Sequence, residues 1–320
     1  MSLAFNEVRK LSLAPGSHPR GQPFLSAASG LVRVRDRYYV VADDELHLGT
    51  FRAGSAEPLR LIRLFEGELP ASAKKRKALK PDFESLLVLP ASEASRHGSL
   101  LALGSGSRPN RFAGALLGLD DGGEPQGAAR LVELEPLYGD LSGRFDQLNI
   151  EGAFVAGDSL VLLQRGGQAD ASAAIRYALA DVMAWLAGER PGNLQPRSVR
   201  ALDLGAADGV AFAFTDGAAL EDGSWVFSAV AEDREGSYDD GPCVAAAIGV
   251  CSGDDALVSL EAIAPARKIE GIEASVSAGS ALLTLVTDAD DPGQPAALGT
   301  TSIVLQPPEA RSARSEAARP

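Results

Sequence analysis

Apolar and polar positions along this chain alternate in a paired-strand unit that recurs five times. Each unit opens on an acidic or small polar residue, then runs through an apolar stretch, a Gly or Asp turn, a second apolar stretch and a polar cluster. The copies begin at Ser29-Gly30-Leu31, Glu84-Ser85-Leu86, Glu151-Gly152-Ala153, Asp208-Gly209-Val210 and Glu270-Gly271-Ile272, spaced by 55, 67, 57 and 62 residues. In the third unit, Ala153 to Val155 leads through Gly157 and Asp158 to Leu160–Leu163. Strand formers on either side of a turn are the pattern of a β-hairpin. Weaker strands fill the rest of each period, such as Leu46 to Phe51 and Leu59 to Leu64 in the first. Four strands per repeat is the pattern of a propeller blade.

The expected fold is therefore all-β, a five-bladed β-propeller, with six blades as the alternative. The fifth unit shows a third strand at Thr300 to Leu305 and then stops, while Phe5 to Leu13 is an orphan strand at the other end. Pairing the two would close the ring and remove the exposed edges that an open ring leaves. One segment breaks the pattern: Ala178 to Gly188 carries Leu179, Val182, Met183 and Leu186 at helical spacing, which predicts a short inserted helix. Residues 1–306 are read as one propeller domain, and 307–320, rich in Ala, Arg, Ser, Glu and Pro, as a loose tail.

Composition narrows the partners. Aromatic residues make up 6% while Gly (34) and Pro (19) are plentiful, which suits many short strands joined by turns. A formal net charge of −13 argues against a nucleic-acid surface. The N-terminus lacks the basic and apolar regions of a signal peptide, and no stretch approaches the roughly 18 apolar residues of a membrane helix. The expected location is cytoplasmic, with no membrane partner. Cys243 and Cys251 are too close along one strand to reach each other and are expected to be free thiols.

The first strand of a propeller blade lines the central channel, so residues at matching places on those strands meet around the axis. Ser29, Glu84, Glu151, Asp208 and Glu270 hold that place in the repeat. Four carboxylates and a hydroxyl converging there would repel unless neutralised, and a calcium ion with six to eight oxygen ligands would do so. The ends of the second strands reach the same mouth with Asp43-Asp44-Glu45, Arg108 with Arg111, Arg165, Glu232-Asp233 and Asp288 to Asp291, and Lys268 stands just before Glu270. Arg108, Arg111, Arg165 and Lys268 are expected to hold a small anionic substrate, a phosphate or carboxylate, because such forks match oxyanions. Asp43 or Asp44 would position water. The alternative is that these charges pair between neighbouring blades. His18, His47 and His97 show no metal or triad spacing, and no phosphate-binding glycine loop occurs. The run Lys74 to Lys77 with Lys80 is expected in a solvated loop.

The series Ser29-Gly30-Leu31, Glu84-Ser85-Leu86, Glu151-Gly152 and Glu270-Gly271-Ile272 resembles the inner-strand motifs of calcium-activated nucleotidases, the soluble apyrases. That resemblance implies a five-bladed propeller with one axial calcium held by Ser and Glu side chains. Tyr38 to Glu45 is similar to their first hairpin, whose acidic end serves the active site. The fourth unit departs from them, with Asp208 where they would have Ser. The acid-Glu-Gly strand starts also resemble the esterase-like domain related to propeller phytases. Asp82-Phe83-Glu84, Asn149-Ile150-Glu151-Gly152, the Tyr238 to Gly241 stretch, Lys268-Ile269-Glu270-Gly271 and Thr287 to Pro292 are similar to an uncharacterised bacterial propeller family, which implies a fold and no activity. The resulting expectation is a calcium-containing propeller hydrolase acting on a phosphate ester or phosphoanhydride at the channel mouth. Its rival is a non-catalytic binding or scaffold propeller with a structural ion.

Overall fold

Runs of Val, Ile, Leu, Phe and Tyr bounded by turn residues form the strands that the pattern predicts. In the computed structural model, which describes residues 2–167, 170–233 and 241–305, these strands make five antiparallel sheets arranged as propeller blades. Blade 1 consists of Ala28–Val34, Arg37–Ala42, His47–Arg52 and Arg60–Arg63; blade 2 of Phe83–Leu89, Ser99–Gly104, Ala113–Leu119 and Pro125–Glu133. Blade 3 consists of Ile150–Ala156, Ser159–Gln164, Ser172–Ala178 and Ser198–Leu202; blade 4 of Val210–Ala219, Trp225–Glu232, Cys243–Cys251 and Leu257–Ala264, with Ala206–Ala207 paired beside its inner strand. Blade 5 has Ile269–Ser277, Ser280–Thr287 and Ala297–Val304, and its fourth strand is Asn6–Lys10 from the N-terminus.

The expected ring closure is present, and it is double. Leu3 and Ala4 pair in parallel with Ile263 and Ala264 of blade 4 before Asn6–Lys10 joins blade 5, so residues 3–10 stitch two blades together. The apolar core is divided accordingly. Five clusters of buried residues fill the five wedges between neighbouring blades, for example Leu87, Leu101, Ile150 and Leu162 between blades 2 and 3. The segment 307–320 and the Tyr238 to Asp240 part of the fourth-blade motif lie outside the described residues.

One irregularity recurs in every blade and positions the site. The pairing between first and second strands slips by one residue at Ser29, Glu84, Glu151, Thr215 and Glu270, a β-bulge at the same place five times. A bulge leaves its extra residue outside the ladder and re-aims its side chain. The residue after the bulge meets the neighbouring inner strand. A Cβ at Gly30 would lie 2.9 Å from the backbone nitrogen of Leu86, and one at Gly152 would lie 2.9 Å from the Cα of Asp216. The glycine after the bulge in blades 1, 3 and 5 thus reflects the narrow waist of the channel, where the neighbouring inner strand leaves no room for a Cβ.

The bulges correct one expectation. The fourth-blade residue at the axial place is Thr215; Asp208 sits at the exposed turn of the hairpin Ala206–Ala207 to Val210–Ala211, with φ of 49°. Gly209, immediately after it, is free to take the reversal, so the Asp-Gly pair there is turn chemistry. The inserted helix is found at Leu179–Leu186, with Val182 and Leu186 buried in the wedge between blades 2 and 3. The basic run is not a loop. It forms the helix Ala73–Leu79, with Arg76 buried and Lys80 as its C-cap residue. Cys243 and Cys251 lie on one strand and are free, as expected. Among the described residues no helix is long and apolar enough to cross a membrane.

Candidate functional site: the channel mouth

Strand ends and inter-blade connections surround a cleft of about 1680 Å³ at the end of the channel where the bulges lie. Ser29, Glu84, Glu151 and Glu270 line it from the bulges, and Asp43, Arg165, Glu232 and Asp288 from the ends of the second strands. Arg108, Arg111 and Lys268 line it as well. The structure therefore brings together every site residue expected from sequence except Asp208 and Asp44.

Between blades 1 and 2, the Lys80 ammonium contacts the carboxylates of Asp43 and Asp82, at 2.8 Å for the latter. Asp82 also receives Arg111 Nη1 at 2.7 Å and the Ser105 hydroxyl at 2.6 Å. Its φ of 61° is a left-handed conformation that aspartate tolerates better than most residues, and it directs the carboxylate at both cations. Arg111 donates further to Ser107 Oγ and to the Lys77 carbonyl, yet its buried Nε has no acceptor. Burial holds the Glu84 carboxyl well above the usual carboxylate range, helped by Glu151, Asp82 and Asp43 and opposed by Lys80.

Between blades 3, 4 and 5 the charges interlock. Arg165 spans Glu151 at 3.1 Å and Glu232 at 2.7 Å, and Asn149 donates to the other Glu151 oxygen at 2.6 Å. Lys268 sits among Asp290 at 2.6 Å, Glu232 and Glu270 at 3.4 Å, and Asp288 at 3.7 Å. Burial pushes Glu270 up to about 8, with Lys268 and Arg165 pulling it down and Glu151 and Glu232 adding to the rise. Asp288 is pushed to about 7, again by burial first, against the pull of Lys268 and with added repulsion from Asp43 and Asp290. Pairing between neighbouring blades, the alternative reading of these charges, is thus present at Arg165 and Lys268.

Asp44 faces away from the cleft. It pairs with Arg20 at 3.2 Å and Arg76 at 3.0 Å, next to Glu45, which holds Arg20 at 2.6 Å and His18 at 2.8 Å. This cluster fastens the helix Ala73–Leu79 to blade 1. Burial, with Asp43 and Glu45 beside it, raises the Asp44 carboxyl to about 6.

Calcium prefers hard oxygen ligands, and the described acids offer one compact set. Oxygens of Asp43, Asp82 and Glu84 lie within 4.8 Å of one another, the single group of three acids so gathered among the described residues. Glu151 and Glu270 are instead turned to Arg165 and Lys268, and Ser29 donates to the Ala27 carbonyl at 3.3 Å, so the five-membered axial ring does not close. The donor set of Asp43, Asp82 and Glu84 fits a hard cation, provided the Lys80 ammonium leaves it. Asp82 was missed as a site residue from sequence, because its left-handed backbone just before the strand and the bulge at Glu84, which bring the two acids together, leave no spacing pattern to read. Lys77, Lys80, Phe112, Phe145 and Phe212 also line the cleft without any signal of spacing to reveal them.

The fold and the mouth define a class: a five-bladed propeller whose channel opens on a buried network of acids and bases. Residues 24–303 match a family of unknown function (DUF6929), and the chain belongs to that family. No curated protein matches it. Among solved structures it is similar to a luciferin-regenerating enzyme, at 10% identity and TM-score 0.49, covering 93% of this chain and 95% of that one. It is similar to an α-L-arabinofuranosidase from Fusarium graminearum at 10% identity and TM-score 0.43, over 94% of this chain and 98% of that one. A putative gluconolactonase matches at 12% identity and TM-score 0.38, over 95% and 100%. Hydrolases are thus among its structural neighbours, but likenesses this distant carry no argument about what this chain binds or does.

Proposed function

We propose that the channel mouth is a calcium-dependent hydrolytic site for a phosphate ester or phosphoanhydride. The observation that carries this reading is the convergence, inside one cleft, of Asp43, Asp82 and Glu84 with the buried Arg111 whose Nε lacks an acceptor. Asp43, Asp82 and Glu84 would hold the ion, which supplies charge neutralisation and a more acidic bound water. Arg111 donates its orphan N–H to a substrate oxyanion, and Arg108 on the same turn adds positive charge at the rim. Asp288, pushed to about 7 and close enough to feel Asp43, is tuned to take and return a proton near neutrality. Arg165 and Lys268, locked between acids, serve this reading as positioning residues that hold Glu151, Glu232 and Glu270 in place.

Titration calorimetry with calcium, followed by a phosphate-ester and nucleotide panel, tests it. Wild type should bind the ion and release phosphate in its presence. Asp43→Asn and Asp82→Asn should each lose both properties. Absence of calcium binding together with absence of phosphate release overturns the reading. A second reading is favoured by the ion pairs of Lys80, Arg165 and Lys268, which already neutralise part of the mouth. On that reading the propeller binds a ligand without turnover, and the sign would be retained calcium with no product from any member of the panel.

A further inference from the structure

The inner strand of blade 4 differs from the other four. In blades 1, 2, 3 and 5 a single residue of the inner strand precedes the bulge: Ala28, Phe83, Ile150 and Ile269. In blade 4 five residues, Val210 to Phe214, precede the bulge at Thr215, and Ala206–Ala207 folds back against them. The hairpin therefore projects past the ring and stands as a wall beside the mouth, with Gly205, Val210, Ala211 and Phe212 lining the cleft.

That wall is apolar. Between Leu204 and Ala213 the only charged residue is Asp208, at the turn. Val210 and Phe212 are half-buried and Ala211 is exposed. Phe112 and Phe145, also half-buried, line the same cleft from the connections around blade 2. Phe212 packs in part against the core between blades 3 and 4, and Phe112 and Phe145 against that between blades 2 and 3, so each borders both core and cleft. Apolar residues lining a cleft that also holds polar groups are the common make-up of a small-molecule site, where the apolar side takes the bulk of the ligand and the polar side orients it. Here the polar side includes Arg111 with its unpaired, buried Nε.

From this two-sided lining we infer that the projecting hairpin recognises the organic portion of the ligand, and that this portion is apolar and aromatic or long-chain. The anionic end of such a ligand meets Arg111, and its apolar body lies against Val210, Phe212 and Phe145. The ligand class is then an aryl or alkyl phosphate, distinct from inorganic phosphate or a small polar ester. The anionic half of this inference rests on the hydrolase reading; the apolar half stands on the hairpin alone.

Three probes, two of them read by calorimetry, separate the two. 1-Naphthylphosphonate should bind wild type about tenfold more tightly than methylphosphonate, the scale expected for burying one aromatic group. Phe212→Ala should abolish that advantage while leaving methylphosphonate affinity unchanged. Val210→Ser, two residues away on the same strand, should reduce it in the same direction and guards against a folding defect in the first variant. The third probe, 8-anilinonaphthalene-1-sulfonate, is read by fluorescence in the presence of chelator. If neither phosphonate binds but the sulfonate does, and Phe212→Ala removes it, the hydrolase reading fails and the hairpin inference stands. If wild type and Phe212→Ala bind the aromatic probes equally, the hairpin inference is overturned, whatever the phosphate panel shows.

Discussion

A carboxyl group surrounded by protein and other carboxylates holds its proton longer than it would in water, and Glu270 shows the consequence. Its folded-state value near 8 lies far above the ordinary 4.5 because burial dominates the attraction of Lys268. Below about pH 4.5 the group is protonated in both folded and unfolded chains. As pH rises, the unfolded chain releases the proton first, so stability falls until the folded carboxyl also ionises near 8. Asp288, near 7, acts in the same direction, whereas Lys268, held well above its usual range, stays charged through this window. Thermal melts should therefore fall between pH 5 and 8, and Glu270→Gln should flatten the curve. Parallel curves for the two proteins would mean that Lys268 keeps Glu270 ionised throughout.

At the scale of the strand, the channel waist is built from glycines in three blades, from Ser85 in the second and from an aspartate in the fourth. Asp216 follows the bulge at Thr215, the place held by Gly30, Gly152 and Gly271 elsewhere. Its Oδ1 accepts the Gly217 N–H at 2.8 Å and its Oδ2 the Ile272 N–H at 3.0 Å, with a further backbone N–H from Leu31. One side chain thus joins the inner strands of blades 4, 5 and 1. Burial pushes this carboxyl well above the usual range while the backbone donors pull it back. An asparagine would point an N–H₂ group at one of those donors. Asp216→Asn should lower unfolding free energy by about 1–3 kcal/mol in urea titrations, the range for a buried donor left unsatisfied. A change below about 0.5 kcal/mol, the level of an inert surface substitution, would show that water supplies the missing acceptor. This aspartate was legible only as part of Thr215-Asp216-Gly217. The hairpin turn at Glu221 to Gly223, a comparable distance beyond it, was the signal that the fourth unit starts there and not at Asp208.

For the molecule as a whole, the ring is closed by a short N-terminal segment that touches two blades. Phe5 is buried in the wedge between blades 4 and 5, and Asn6–Lys10 covers the outer edge of Ala297–Val304. Removing residues 2–10 exposes a strand edge open to pairing with another chain. The truncated protein should melt at lower temperature and form soluble aggregates by size-exclusion chromatography. A truncated chain that remains monomeric with an unchanged melt would show that the blade wedges hold the ring without that clasp.

Local chemistry along the chain determined most of the architecture. Strand formers and turn residues set where the hairpins fall, and their period set the number of blades. The unpaired first strand and the short fifth unit foretold the closure. The acids at Glu84, Glu151 and Glu270 were legible because one bulge recurs at one phase of the repeat. Tertiary structure decided what local pattern cannot carry. Register across a hairpin, not the nearest acid-Gly pair, chose Thr215 over Asp208. Which acid meets which base depends on the ring, because Arg165 and Glu232 stand on different blades. Lys80 reaches Asp43 and Asp82 only because a buried Arg76 fastens its helix beside blade 1. Strand propensity and turns act over a few residues, whereas these pairings are set by how five wedges pack around an axis.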